Sequence, residues 1–203
     1  MRGHDDEYED DDDREHPETG RPWRRAAGIY VLADIVGAAG EQIREIQRQY
    51  DPKLAASSAP HVTIIGSSGA GLIAPSTSVD ELRAAVGPIA AATPPLSLEL
   101  GPPMRFMQTE IVVLPLSPHG PLRALHEAIK TSGLRFGRPR FAFSPHATLS
   151  FYPTLTPARR RELLALRVRE PAIIERLEFS LTDDPQPPRT LLTLTLDGSG
   201  PRP

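Results

Sequence analysis

Apolar and polar positions along this chain follow two rhythms. The run Ile29 to Ile35 predicts a strand. Ile43, Ile46 and Tyr50, with charges between them, predict a helix over 38–50 that Asp51-Pro52 stops. Pro60 to Gly66 reads as a second strand, followed by a Gly/Ser-rich loop over 67–76. A helix to about residue 92 starts from Thr77 or Ser78, with Glu81 placed for a capping box. Strands are predicted over 96–100, 104–107 and 110–116, then a helix over 118–132 with Leu122, Leu125 and Ile129 on one side. A basic, aromatic lead-in over 138–143 precedes a strand over 145–152. Thr156-Pro157 opens a helix to about 166. Two strands, 173–181 and 190–196, close the chain across a turn-rich stretch at 183–188.

This order holds two similar halves, each with strand, helix, strand, helix and further pairing strands. The class is therefore α+β. No linker parts the halves, so residues 25–203 are expected to form one bilobal domain. Residues 1–24 are set apart by charge. The first 20 carry ten acidic residues against Arg2 and Arg14, a net of −8. With a whole-chain charge of −3, that leaves +5 for the rest. Such a block of like charge has nothing to bury, and it predicts a disordered acidic tail.

A short repeat stands inside two of the predicted strands: Pro60-His61-Val62-Thr63-Ile64 and Pro145-His146-Ala147-Thr148-Leu149. At this composition, Pro-His-x-Thr should arise by chance on the order of 0.04 times. Strand side chains alternate faces. His61 and Thr63 therefore share one face, His146 and Thr148 likewise, and the aliphatic residues share the other. A strand that only filled a core would not need imidazole and hydroxyl on one side. If the halves bring both faces to one groove, two imidazoles flank a phosphodiester. A neutral His then takes a proton from the attacking oxygen while a protonated one gives a proton to the departing oxygen. The Thr hydroxyls are suited to non-bridging phosphate oxygens. This chemistry needs neither metal nor cofactor.

The two motifs, His61-Val62-Thr63-Ile64 and His146-Ala147-Thr148-Leu149, 85 residues apart, resemble the signature of the two-histidine (2H) phosphoesterase superfamily. That group includes 2′–5′ RNA ligase-like proteins and RNA 2′,3′-cyclic phosphodiesterases. The resemblance covers roughly residues 28–197. It implies a bilobal, pseudo-symmetric fold, with two antiparallel-rich sheets facing a central groove and helices outside. It implies His61 and His146 as catalytic residues and Thr63 and Thr148 as phosphate-binding ones. The implied activity is metal-independent hydrolysis of 2′,3′-cyclic phosphates or 2′–5′ phosphodiesters, with RNA ends or small nucleotides as substrate. A binding module of the same fold that lacks turnover is the alternative, and a small cyclic-phosphate metabolite is another substrate class.

Composition narrows the rest. Cysteine is absent, which excludes disulfides, thiolate metal sites and a Cys nucleophile and suits a cytoplasmic setting. No apolar run resembles a signal peptide or a membrane span. The expected protein is a cytoplasmic monomer. Arg138 and Arg140, ahead of the second motif, are candidates to steer phosphate, and Arg105 is a weaker one. By parity Tyr152 falls on the His146 face and is a candidate for stacking on a base, while Phe151 falls on the core face. His119 and His126 read as surface or capping residues. No third ligand joins His61 and His146 at zinc spacing. Gly69-Ala70-Gly71-Leu72-Ile73-Ala74 fits a dinucleotide fingerprint in form only, since Pro75 intervenes before any helix.

Overall fold

The computed structural model describes residues 27–107, 109–183 and 186–200. The acidic segment 1–24 lies outside the described residues. The strands are β1 (Gly28–Asp34), β2 (His61–Ile65), β3 (Leu96–Leu100), β4 (Met104–Arg105), β5 (Val112–Ser117), β6 (His146–Ser150), β7 (Ala172–Ile174), β8 (Arg176–Asp183) and β9 (Gln186–Thr195). The helices are α1 (Gly37–Tyr50), α2 (Pro52–Ser57), α3 (Val79–Ala92), α4 (Gly120–Lys130) and α5 (Pro157–Ala165). The expected α+β class holds.

Strand pairing is antiparallel throughout, in the order β7-β3-β5-β6-β2-β1-β8-β9, with β4 against β5. The two expected sheets meet at β2 and β6 through one register pair, Val62↔Ala147, so a single curled sheet runs through both halves. The halves also trade strands. β3 follows β2 in the chain but pairs with β5, and β8 follows β6 but pairs with β1. The helices cross over in the same way. α1, from the first half, packs on β6, and α4, from the second, packs on β2.

The apolar face of the sheet makes the core. Val62, Ile64, Ala147 and Leu149 are fully buried with Ile43, Leu122 and Ile129 from the helices. That burial fixes the register of the motif strands. A one-residue slip of β2 would turn His61 and Thr63 inward and Val62 and Ile64 outward. Each aliphatic side chain so exposed forfeits roughly 1.5–3 kcal/mol.

Three expectations change. Asp51-Pro52 ends α1 as predicted, but it also starts α2. Asp51 Oδ1 accepts the Leu54 N–H at 3.0 Å, and Pro52 takes the first helical position, where no N–H is needed. The predicted turn at 183–188 is shorter. β9 begins at Gln186 and runs through Pro187 and Pro188, tolerated because β9 is the sheet edge. β6 ends at Ser150, so alternation stops there, and Phe151 is 47% exposed instead of facing the core.

Candidate active site

β2 and β6 carry the same burial pattern: half-buried His and Thr, buried aliphatic residues between and after them. Pairing centred on Val62↔Ala147 brings His61 alongside Thr148 and His146 alongside Thr63. All four side chains therefore lie on the sheet face away from the core, at the middle of the strand order.

The two imidazoles are held alike. His61 Nδ1 lies 2.7 Å from the Ala59 carbonyl, and His146 Nδ1 lies 2.7 Å from the Ser144 carbonyl. A carbonyl only accepts, so each Nδ1 carries a proton and donates it. Each neutral ring thus keeps its lone pair on Nε2, which faces outward from the strand. The carbonyls belong to the residues two before each His, in the Pro-containing turns that enter both strands. Neither Thr hydroxyl has a hydrogen-bond partner among the described residues, so both are available to a ligand.

The surroundings of the two histidines differ. On β1, Asp34 is opposite His61. Asp34 is buried to 8% exposure and accepts from Arg176 Nε and Nη2 at 3.1 and 2.9 Å. On the other side, Pro115 is opposite His146. The Phe106 ring, from the turn joining β4 and β5, lies over His146 with centroids 4.4 Å apart. That turn is braced. Glu110 is ion-paired with Arg105 at 2.9 Å and with Arg160 of α5. Burial holds the pKa of His146 below the ordinary imidazole value. The Ser144 carbonyl opposes this, and the nearby charge of His61 reinforces it.

Helices behind the sheet support the motif strands from the far half. Gln47 Nε2 of α1 donates to the Thr148 carbonyl at 2.8 Å, and His126 Nδ1 of α4 donates to the Ile64 carbonyl at 2.7 Å. β2 and β6 share only one register pair, so these carbonyls find side-chain partners instead of a full ladder. His126 is therefore not a surface or capping residue. It is fully buried and stacked on Phe143 at 4.0 Å.

Arg138 and Arg140 line a cavity of about 450 Å³ that also involves Tyr30 and Phe136, beside Thr63. Tyr152 sits past the end of β6. Its N–H bonds Asp51 Oδ2 at 3.0 Å, and Lys53 Nζ lies 4.0 Å from its ring centre. Arg105 is engaged in bracing its own hairpin, through Glu110 and the Thr109 carbonyl. Phe106, Asp34, Arg176 and Tyr30 went unseen in the sequence. Only the cross-strand register, which one sequence does not display, brings them to the motifs. Among the described residues no group of three or more His, Asp or Glu side chains is arranged to hold a metal ion. No helix among them is long and apolar enough to cross a membrane.

The profile of the 2′-5′ RNA ligase superfamily matches residues 36–184. No curated protein sequence matches the chain. Among solved structures, a phosphoesterase aligns at TM-score 0.52 and 17% identity, over 84% of this chain and 99% of its own. TT0787 of Thermus thermophilus aligns at TM-score 0.52 and 16% identity, over 86% of this chain and 99% of its own. E. coli LigT complexed with NADP+ aligns at TM-score 0.50 and 17% identity, over 86% and 99%. At such identities these likenesses concern the fold. The sequence match, however, spans both His-x-Thr strands and the helices that brace them, and on that ground the chain belongs to the 2′–5′ RNA ligase superfamily, among the two-histidine phosphoesterases.

Proposed function

We propose that this protein is a metal-independent phosphodiesterase that hydrolyses RNA-type 2′,3′-cyclic phosphates or 2′–5′ phosphodiesters. His61 and His146 act as its acid/base pair, and Thr63 and Thr148 as its phosphate ligands. The observation that carries this is the matched tethering of the two imidazoles, each by Nδ1 to a carbonyl two residues back. Proton transfer on both sides of one phosphorus needs two such rings with Nε2 turned to the substrate. The ligands of two LigT complexes, NADP+ and 3′-AMP, are nucleotides, which agrees with a nucleotide-sized substrate.

In this reading, water attacks phosphorus and gives its proton to Nε2 of neutral His146. The bond from phosphorus to one ribose oxygen breaks, and that oxygen takes a proton from Nε2 of protonated His61. The roles are allotted by environment. His146, under Phe106 and beside Pro115, is the ring kept neutral by burial, as a base must be. Negative charge that gathers on the non-bridging oxygens is met by the Thr63 and Thr148 hydroxyls.

The test is turnover of a nucleoside 2′,3′-cyclic phosphate and a 2′–5′ dinucleotide, with EDTA present. Wild type is compared with His61→Ala and His146→Ala. Activity that survives EDTA and is lost in each variant supports the reading. Folded wild type that binds either substrate without turning it over would make the protein a binding module.

A further inference from the structure

The cavity beside Thr63 is absorbed by neither the acid/base pair nor the phosphate ligands. Its neighbour on the motif side is Tyr30, which faces Thr63 across Gly66. A Cβ at that position would stand 2.6 Å from the Thr63 methyl and 3.4 Å from the Tyr30 ring. Thr63 and Tyr30 therefore flank one glycine, and Tyr30, which lines the cavity, stands between it and the motif face.

Its walls combine cation and carbon. Phe136, Arg138 and Arg140 occupy alternate positions of the segment leading to β6 and reach the cavity together, opposite Tyr30 and Leu72. Neither guanidinium has a hydrogen-bond or ion-pair partner among the described residues. Guanidinium groups match the planar geometry of phosphate and bind it through paired N–H donors. A volume near 450 Å³ falls within the range of about 300–1,000 Å³ usual for small-molecule pockets.

The backbone that carries these groups is fixed. Gly137 N–H donates to the Leu72 carbonyl at 2.8 Å, Ala74 N–H to Arg135 at 2.9 Å and Arg140 N–H to Ser67 at 2.7 Å. Ile73 exchanges two hydrogen bonds with Ile29 of β1, at 2.9 and 3.1 Å. The two segments approach so closely at Gly71, where φ is +78°, that a Cβ would lie 2.3 Å from the Gly137 carbonyl oxygen. The loop after the first motif is thus zipped to the lead-in of the second.

From these observations we propose a second phosphate subsite. Arg138 and Arg140 take the phosphate on the 5′ side of the nucleoside whose cyclic phosphate lies between His61 and His146, and Tyr30 and Phe136 take the unit beyond it. The proposal rests on the phosphodiesterase reading and deepens it. The preferred substrate carries at least two phosphates, as an RNA end or a 5′-phosphorylated nucleotide does, and a plain cyclic mononucleotide is a poor one.

Two measurements test this separately from the catalytic reading. In turnover, wild type should show a KM about tenfold or more lower for a 5′-phosphorylated nucleoside 2′,3′-cyclic phosphate than for the unphosphorylated one. The Arg138→Ala/Arg140→Ala double variant should lose that preference and keep kcat on the unphosphorylated substrate. Arg138→Lys/Arg140→Lys should recover part of it. In calorimetry, wild type should bind a nucleoside 3′,5′-bisphosphate about tenfold or more tighter than the 3′-monophosphate, and the Ala variant should bind both alike. If the bisphosphate preference appears in binding while turnover is absent, the subsite stands and the phosphodiesterase reading falls. Equal binding of both ligands by wild type, or a preference unchanged in the Ala variant, overturns the subsite whatever the turnover.

Discussion

The Phe106 ring lies 4.4 Å from the His146 imidazole, and among the described residues no aromatic ring lies against His61. Two rings tethered by the same bond thus meet different surroundings, one apolar and one beside the Asp34–Arg176 ion pair. In the proposed mechanism it is this difference, more than the motif itself, that allots the roles of base and acid. Removing the cover should therefore alter the pH profile before it alters the chemistry. If His146 is the base, as proposed, it must be neutral to act, so activity should fall as pH drops through its pKa, which burial holds below the ordinary imidazole value. Phe106→Ala lessens the burial and should shift the acid limb of the kcat/KM profile upward, toward the ordinary imidazole value. Lower activity on the acid side of the ordinary imidazole pKa of about 6.5, with nearly unchanged activity well above it, is expected. An acid limb that stays in place would separate Phe106 from the titration of His146.

His61→Ala and His146→Ala should each lower kcat by about 10²–10⁴. The double variant should be little worse than the more damaged single one, because two groups acting on one phosphorus form a unit. Losses that multiply would mean that the rings serve independent steps.

Thr63→Val and Thr148→Val keep a β-branched residue suited to a strand and remove only the hydroxyl. Each should cost about 10²–10³ in kcat, with a smaller change in KM, if the hydroxyls meet charge that develops at the transition state. Steady-state kinetics decide this, and a rise in KM alone would assign them to ground-state binding.

Stability should depend strongly on Asp51. Its carboxylate is buried, caps α2 through Leu54 and accepts the Phe151 and Tyr152 N–H groups at 2.7 and 3.0 Å. Asp51→Ala removes the cap and leaves two donors without a partner, which should cost about 2–4 kcal/mol. A fall in melting temperature of roughly 5–15 °C is expected by calorimetry. A fall of less than about 2 °C would show that water replaces these bonds freely.

How much of this could be read in the sequence divides along local and non-local lines. Val62, Ile64, Ala147 and Leu149 alternate with the His and Thr residues, so the two faces of each motif strand were legible from period alone. Ser78 and Glu81 announce their capping box, and the structure contains both halves of it. What stayed hidden depends on pairing across distance. His126 has no local mark of burial. It is in the core because α4 crosses to β2 and offers Nδ1 to Ile64. The Asp34–Arg176 pair joins residues 142 apart in the chain. Phe151 misled by parity, because nothing in its own neighbourhood indicates that Asp51 captures its N–H and ends the strand.

The exchange of β3 and β8 between halves has a consequence for how the molecule opens. Loss of either strand to solvent strips a neighbour from the opposite half's central pair. The two motif strands therefore belong to one cooperative unit, and their amides should exchange hydrogen at a common, high opening free energy, while the ends β7 and β9 fray first. A state with one intact histidine strand and one melted partner has no separate basin to occupy. Stability is shared across the duplication, so a destabilising change in either half lowers the population of the whole site.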